Sequence, residues 1–114
     1  MAIHILEGDP GVNDSLLVLL GSLGHQVLSH RDGAAFFRCD PPLPEDSVIV
    51  DLALPVTGGV AVIKWLQALA RPPRIVPISG EPQAVIEAQV RGLRLPPVLR
   101  KPLREDDIIA RLRG

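Results

Sequence analysis

Cysteine is almost absent. Cys39 stands alone, so no internal disulfide can form, and a reducing compartment suits the chain. With no partner cysteine and no histidine cluster, it reads as a small semi-buried hydrophobe. Tyrosine is missing and aromatics reach only 3%, so any core must be built from Val, Leu, Ile and Ala. No apolar run approaches the roughly 20 residues that cross a bilayer. No signal-peptide layout opens the chain, and a cytoplasmic protein is the expectation. A net charge of −1 argues against a general nucleic-acid or membrane binder. Gly8, Gly58 and Gly59 form no phosphate loop of the P-loop or dinucleotide kind, which disfavours a nucleotide-binding enzyme.

What is present points to one ordinary domain over residues 1–114, with 46% hydrophobic residues to fill it. The 12 prolines and 10 glycines mark turns, because apolar runs persist between them. Charge is unevenly spread: up to Asp51 there are eight acids against two Arg or Lys, and from Arg91 onward seven Arg or Lys against three acids.

Ile3–Leu6 is a strand candidate, followed by the acidic turn Glu7-Gly8-Asp9-Pro10. Asn13 or Asp14 can cap a helix carrying Leu16, Leu17, Leu19, Leu20 and Leu23 at helical spacing, ended by Gly24. Gln26–Ser29 is a weak second strand, and Asp32 can cap a helix from Gly33 to about Arg38. Residues 40–46 read as a loop. Ser47–Gly59, SVIVDLALPVTGG, holds the apolar run Val48-Ile49-Val50, suited to a strand buried on both faces of a parallel sheet. Gly59–Ala70 predicts a third helix stopped by Pro72-Pro73, and Ile75–Ile78 a fourth strand ending at Ser79-Gly80. Pro82–Arg91 predicts a fourth helix and Val98-Leu99 a short fifth strand before Lys101-Pro102. Glu105, Asp106 and Asp107 open a last helix that Arg111 and Arg113 close, both favourable to its dipole. Strands and helices alternating in this way imply an α/β fold, an open parallel five-stranded sheet with helices on both faces.

In such sheets ligands bind beyond the carboxyl ends of the strands. Glu7 and Asp9, Asp51, Ser79 and Lys101 all follow strands, so they predict a cleft of three carboxylates, a hydroxyl and an ammonium. Close carboxylates raise one another's pKa unless a cation joins them, and Mg²⁺ is the hard, oxygen-seeking ion that suits them. Lys101 can pair with Asp51 or with a phosphoryl oxygen, and Ser79 can donate to one. Backbone N–H groups around Ala53 and Gly80 complete an anion cradle in this reading. A carboxylate so surrounded can accept a phosphoryl group as an acyl phosphate.

Over essentially its whole length the sequence resembles the receiver domain of two-component response regulators. The acidic turn before Pro10, DLALPVTGG at Asp51–Gly59, Ile78-Ser79-Gly80 and Lys101-Pro102 carry the resemblance by their order and spacing. It implies a flavodoxin-like (βα)5 fold and a cis bond before Pro102. It implies a signalling phosphoprotein rather than an enzyme, one that at most assists its own phosphorylation and dephosphorylation. Asp51 would be the phosphoacceptor, Ser79 the hydroxyl that senses the phosphoryl group and Lys101 its paired lysine. Mg²⁺ would be held by Glu7, Asp9, Asp51 and the backbone carbonyl of Ala53. The implied partners are a histidine kinase or phosphotransfer protein, and an output domain or second copy on the face of the fourth helix, fifth strand and fifth helix; neither nucleic acid nor membrane is contacted directly.

Two positions depart from the family pattern. Gly8 stands where a second acid usually ligates the metal, so metal binding weaker than usual is expected. Val98 stands where a Tyr or Phe usually rotates on activation, so ring rotation is no readout here. Plainer roles exist for each residue: Asp51 as a loop cap, Ser79 as a strand-end hydroxyl, Lys101 as a solvated charge, Glu7 and Asp9 as turn acids. His4, His25 and His30 lack metal-ligand spacing and read as structural or surface residues. Trp65 falls off the apolar stripe of its helix, as filler or a partner contact. The arginines from Arg91 to Arg113 read either as a face for an acidic partner or as solubility. A degenerate receiver, binding proteins without phosphate, is the alternative reading; a flavin-binding enzyme has only Trp65 to stack on the ring.

Overall fold

The computed structural model describes residues 1–113. Five strands alternate with five helices: β1 (Ala2–Leu6), α1 (Pro10–Ser22), β2 (Gln26–His30), α2 (Gly33–Phe37), β3 (Ser47–Asp51), α3 (Gly59–Gln67), β4 (Arg74–Ser79), α4 (Gln83–Val90), β5 (Leu99–Arg100) and α5 (Glu105–Arg113). The strands form one parallel sheet in the order β2-β1-β3-β4-β5, the doubly wound order of flavodoxin-like proteins.

β1 and β3 are buried along their whole length because helices cover both faces, which is why Val48-Ile49-Val50 runs unbroken. Side chains still alternate between faces. Ile3, Ile5, Ile49, Val76 and Ile78 pack with Leu16, Leu20, Ile108 and Leu112 of α1 and α5. Leu6, Val48, Val50 and Ile75 pack on the other face with Phe36, Val62, Ile63, Leu66 and Ile86 of α2, α3 and α4. All three aromatic side chains of the protein gather there, Trp65 standing edge-on to Phe36 and Phe37 at 6.0 and 5.0 Å between centroids.

Several element ends differ from the sequence-based expectation, each for a local reason. Asp9, not Asn13 or Asp14, caps α1: its Oδ1 accepts from the Gly11 and Val12 N–H groups at 2.8 and 3.3 Å, and Pro10 enters at the first turn. α3 stops at Gln67 rather than Ala70. Its last turn tightens, with the Ala68 N–H bonding the Trp65 carbonyl and the Leu69 N–H the Leu66 carbonyl, before Pro72. α4 begins after Pro82, whose own carbonyl accepts from Val85 and Ile86. β5 is shifted one residue to Leu99–Arg100, leaving Val98 half-buried against the α3 and α4 side of the core.

His4 and His30 are buried on adjacent strands, bonded Nδ1 to Nε2 at 3.3 Å. Their ring centroids lie 5.5 Å apart and their planes differ by only 12°, so the rings meet end to end rather than face to face. Asp46 anchors the cluster. It accepts from the Ala2 and Leu43 N–H groups at 2.8 and 2.9 Å, and its Oδ2 lies 3.6 Å from His4 Nε2. No helix among the described residues is long and apolar enough to cross a membrane.

Candidate functional site

The carboxyl ends of β1, β3, β4 and β5 deliver Glu7, Asp51, Ser79 and Lys101 to one rim of the sheet. Parallel pairing puts them level: Leu6 pairs with Val50, Asp51 with Ile78, and Ser79 with Arg100. Backbone bonds extend the ladder past the strand ends, from the Leu52 N–H to the Ile78 carbonyl at 3.0 Å and from the Lys101 N–H to the Ser79 carbonyl at 2.9 Å. The Lys101–Pro102 peptide is cis.

Lys101 is the hub. Its Nζ donates to Asp51 Oδ2 at 2.9 Å and lies 2.7 Å from Glu7 Oε2. The Glu7 contact lacks hydrogen-bond alignment, so Oε2, although fully buried, has no hydrogen-bond donor among the described residues. Burial pushes the Glu7 carboxyl above its ordinary value, because desolvation and the neighbouring Asp51 outweigh what Lys101 and the Asp9 N–H return. Burial works against the Lys101 ammonium as well, but the two carboxylates outweigh it and its pKa is raised.

The other acceptor atoms are held by short-range bonds. The Ala53 N–H donates to Asp51 Oδ1 at 2.9 Å, and the Asp9 N–H to Glu7 Oε1 at 3.0 Å. Ser79 is fully buried, and its Oγ accepts the Glu81 N–H at 3.0 Å, which aims its own proton elsewhere. The Ala53 N–H, expected to line an anion cradle, is thus committed to Asp51 itself.

Asp9 does not join the cluster. Its carboxylate is exposed and turned to the α1 N-terminus as the cap, so the expected third acid is missing from the rim. Among the described residues no three acidic, His or Cys side chains gather as a metal site. The donors that do suit Mg²⁺ are Glu7 Oε2 and the Asp51 carboxylate, both paired here with Lys101, with the carbonyl of Ala53 in the exposed turn just beyond. Gly8 lies hard against the neighbouring loop: a Cβ on it would stand 2.8 Å from Cγ and Cδ of Pro55.

Sequence reasoning missed two supports. Asn13, read as a helix cap, is buried and donates from Nδ2 to the Glu7 carbonyl at 2.9 Å, while its Oδ1 accepts from Ser29 Oγ at 2.5 Å. The wedging of Pro55 on Gly8 was equally invisible, since the two are far apart in sequence.

A doubly wound sheet with an acidic residue, a carboxylate bonded to lysine, and a hydroxyl at its switch-point rim has the build of a receiver-type signalling domain, its charged cleft beyond the carboxyl ends of the strands. The chain belongs to the response regulator receiver domain family, which it matches over residues 3–113. It is 27% identical over 114 residues to the transcriptional regulatory protein FixJ of Azorhizobium caulinodans, covering 100% of this chain and 54% of that protein. It is 29% identical over 112 residues to the transcriptional regulatory protein KdpE of Mycobacterium tuberculosis, covering 98% and 49%. The chain therefore spans about half the length of these relatives. Among solved structures, full-length FixJ from B. japonicum aligns with a TM-score of 0.82 at 27% identity, over 97% of this chain and 55% of that one. The receiver domain of the sensor histidine kinase PA1611 from Pseudomonas aeruginosa, solved with a magnesium ion coordinated in its active-site cleft, aligns with a TM-score of 0.86 at 20% identity, over 98% and 93%.

Proposed function

We propose that Asp51 accepts a phosphoryl group from the phosphohistidine of a histidine kinase or phosphotransfer protein. The observation that carries this is the bridge from Lys101 Nζ to Asp51 Oδ2 at 2.9 Å and Glu7 Oε2 at 2.7 Å. It sets a cation beside a buried carboxylate at the carboxyl end of the central strand. In the transfer, the P–N bond of the donor breaks, an Asp51 oxygen forms the new O–P bond, and the leaving imidazole takes up a proton. Oδ1 keeps the Ala53 N–H. Oδ2 is the oxygen whose partner can move, because Lys101 sits on a flexible four-carbon stem and can follow the charge onto the phosphoryl oxygens. Ser79 then donates its hydroxyl proton to the phosphoryl group.

Mg²⁺ would be held by Glu7, Asp51 and the Ala53 carbonyl, with water completing its shell, and would neutralise phosphoryl charge during transfer. Binding weaker than in a receiver with two adjacent acids is expected, for two reasons. Gly8 supplies no oxygen, and Lys101 already cancels one of the two carboxylate charges. The downstream reader, an output domain or a second copy, would meet the face of α4, β5 and α5. Beside α4, Val98, in place of an aromatic ring, borders a groove of about 290 Å³ with Ile86, Glu87, Val90 and Leu95.

Incubation with phosphoramidate and Mg²⁺ should label the protein with one hydroxylamine- and base-labile phosphoryl group, and Asp51→Asn should take none. Equal labelling of the variant would remove Asp51 from the role. No labelling of the wild type would favour a receiver fold that works without phosphate.

A further inference from the structure

The loop between β3 and α3 carries a conformation that its sequence disfavours. Val56 has φ of 67°, among the described residues the one side chain other than glycine in the left-handed region. A β-branched residue there is a true outlier. The Thr57 N–H bonds back to the Pro55 carbonyl at 2.8 Å, so Val56 is the centre of a γ-turn of positive φ, the rare and strained kind.

The neighbours of Val56 hold it there. Pro55 is wedged on Gly8, where a Cβ would be 2.8 Å from its ring carbons, and Thr57 on Gly33, where a Cβ would be 2.7 Å from its Oγ1. Behind the turn, the Leu54 N–H bonds the Asp51 carbonyl and the Gly59 N–H the Leu52 carbonyl, each at 3.1 Å. The loop is thus fastened to the acceptor strand at its base, and to the turn after β1 and the start of α2 on its sides. At its tip the Val56 side chain is fully exposed, at 102%. Glycine or asparagine would relax the turn, so an apolar branched side chain is held outward on the loop that follows Asp51 at a cost that folding alone does not call for. Strain of this sort is kept where surroundings over-determine it, and it gathers at functional sites.

We infer that Val56 is a specificity-determining contact for the protein phosphodonor, packing on an apolar surface beside the donor's phosphohistidine as that histidine reaches Asp51. The inference rests on the acceptor role of Asp51. A small donor such as phosphoramidate has no such surface and does not touch Val56.

Val56→Gly and Val56→Asn both release the turn and remove the apolar group. The comparison is phosphoramidate labelling against transfer from purified, ³²P-charged histidine phosphotransfer domains, using the one that transfers fastest to the wild type. Both variants should melt at a higher temperature and label with phosphoramidate at the wild-type rate. Both should lose about tenfold in kcat/KM for protein-to-protein transfer, the fold-change for one unburied valine side chain. Unchanged protein transfer in both variants would overturn the inference. So would a parallel fall with both donors, or a wild type that labels with phosphoramidate yet receives from none of the domains. Failure of the wild type to label with phosphoramidate would instead overturn the acceptor reading of Asp51, and this inference with it.

Discussion

Replacing Lys101 with methionine keeps the apolar stem and deletes only the charge. The Lys101 side chain is one-fifth exposed, and its ammonium lies within 3 Å of two carboxylates that are buried almost completely. At an effective dielectric near 20, each contact is worth about 6 kcal/mol before desolvation. Burial of the ammonium offsets most of that, and stranding a buried partner costs about 3–5 kcal/mol in measured cases. The partial exposure puts Lys101→Met at the low end, about 3 kcal/mol. For a chain of 114 residues that is a fall of roughly 12 °C in Tm. Urea unfolding followed by Trp65 fluorescence, in chelator to keep the site metal-free, reads it directly. The cost should depend on pH. Glu7 already sits above its ordinary carboxyl value through burial, and losing Lys101 drives it higher. A carboxyl raised in the folded state loses stability as pH climbs through the window above the unfolded value, so the penalty should be fullest near pH 8 and smaller near pH 5. A loss under about 0.5 kcal/mol near pH 8, or a larger loss near pH 5, would refute Lys101 as the cation that balances this buried pair.

Asp9→Ala should cost about 1 kcal/mol, since it removes the α1 cap, while phosphoramidate labelling and Mg²⁺ affinity stay as in the wild type; weakened Mg²⁺ binding would make Asp9 a ligand after all. Gly8→Asp should destabilise by roughly 1–3 kcal/mol, because its Cβ meets Pro55 at 2.8 Å, and yet bind Mg²⁺ more tightly by adding a carboxylate; a stability unchanged in urea melts would show that Pro55 yields freely. The buried His4–His30 pair lies below the ordinary imidazole value, chiefly through burial, so the unfolded chain takes up protons first as pH drops below about 6.5. Stability should therefore fall as pH drops below that value, and His30→Asn should flatten the fall; parallel pH curves for the two proteins would argue against it.

Much of this protein was written in local patterns. Val48-Ile49-Val50 ending at Asp51, the alternation of apolar runs with helical spacing, and Lys101-Pro102 after a short strand each depend on neighbours in sequence, so period and turn chemistry suffice to read them. They determine a parallel α/β sheet and bring Asp51, Ser79 and Lys101 to its carboxyl rim, because parallel strands point their ends the same way.

Tertiary structure decided what depends on distance through space. Asp9 and Glu7 are two residues apart and chemically alike; only the direction of the chain entering α1 makes one a helix cap and the other a buried partner of Lys101. Asn13 resembles a cap in sequence but lies behind Glu7. The fit of Pro55 on Gly8 and Thr57 on Gly33, which holds Val56 in a strained turn, joins segments that sequence spacing cannot relate. Side-chain direction and close contact are set by packing, and packing is a property of the whole fold.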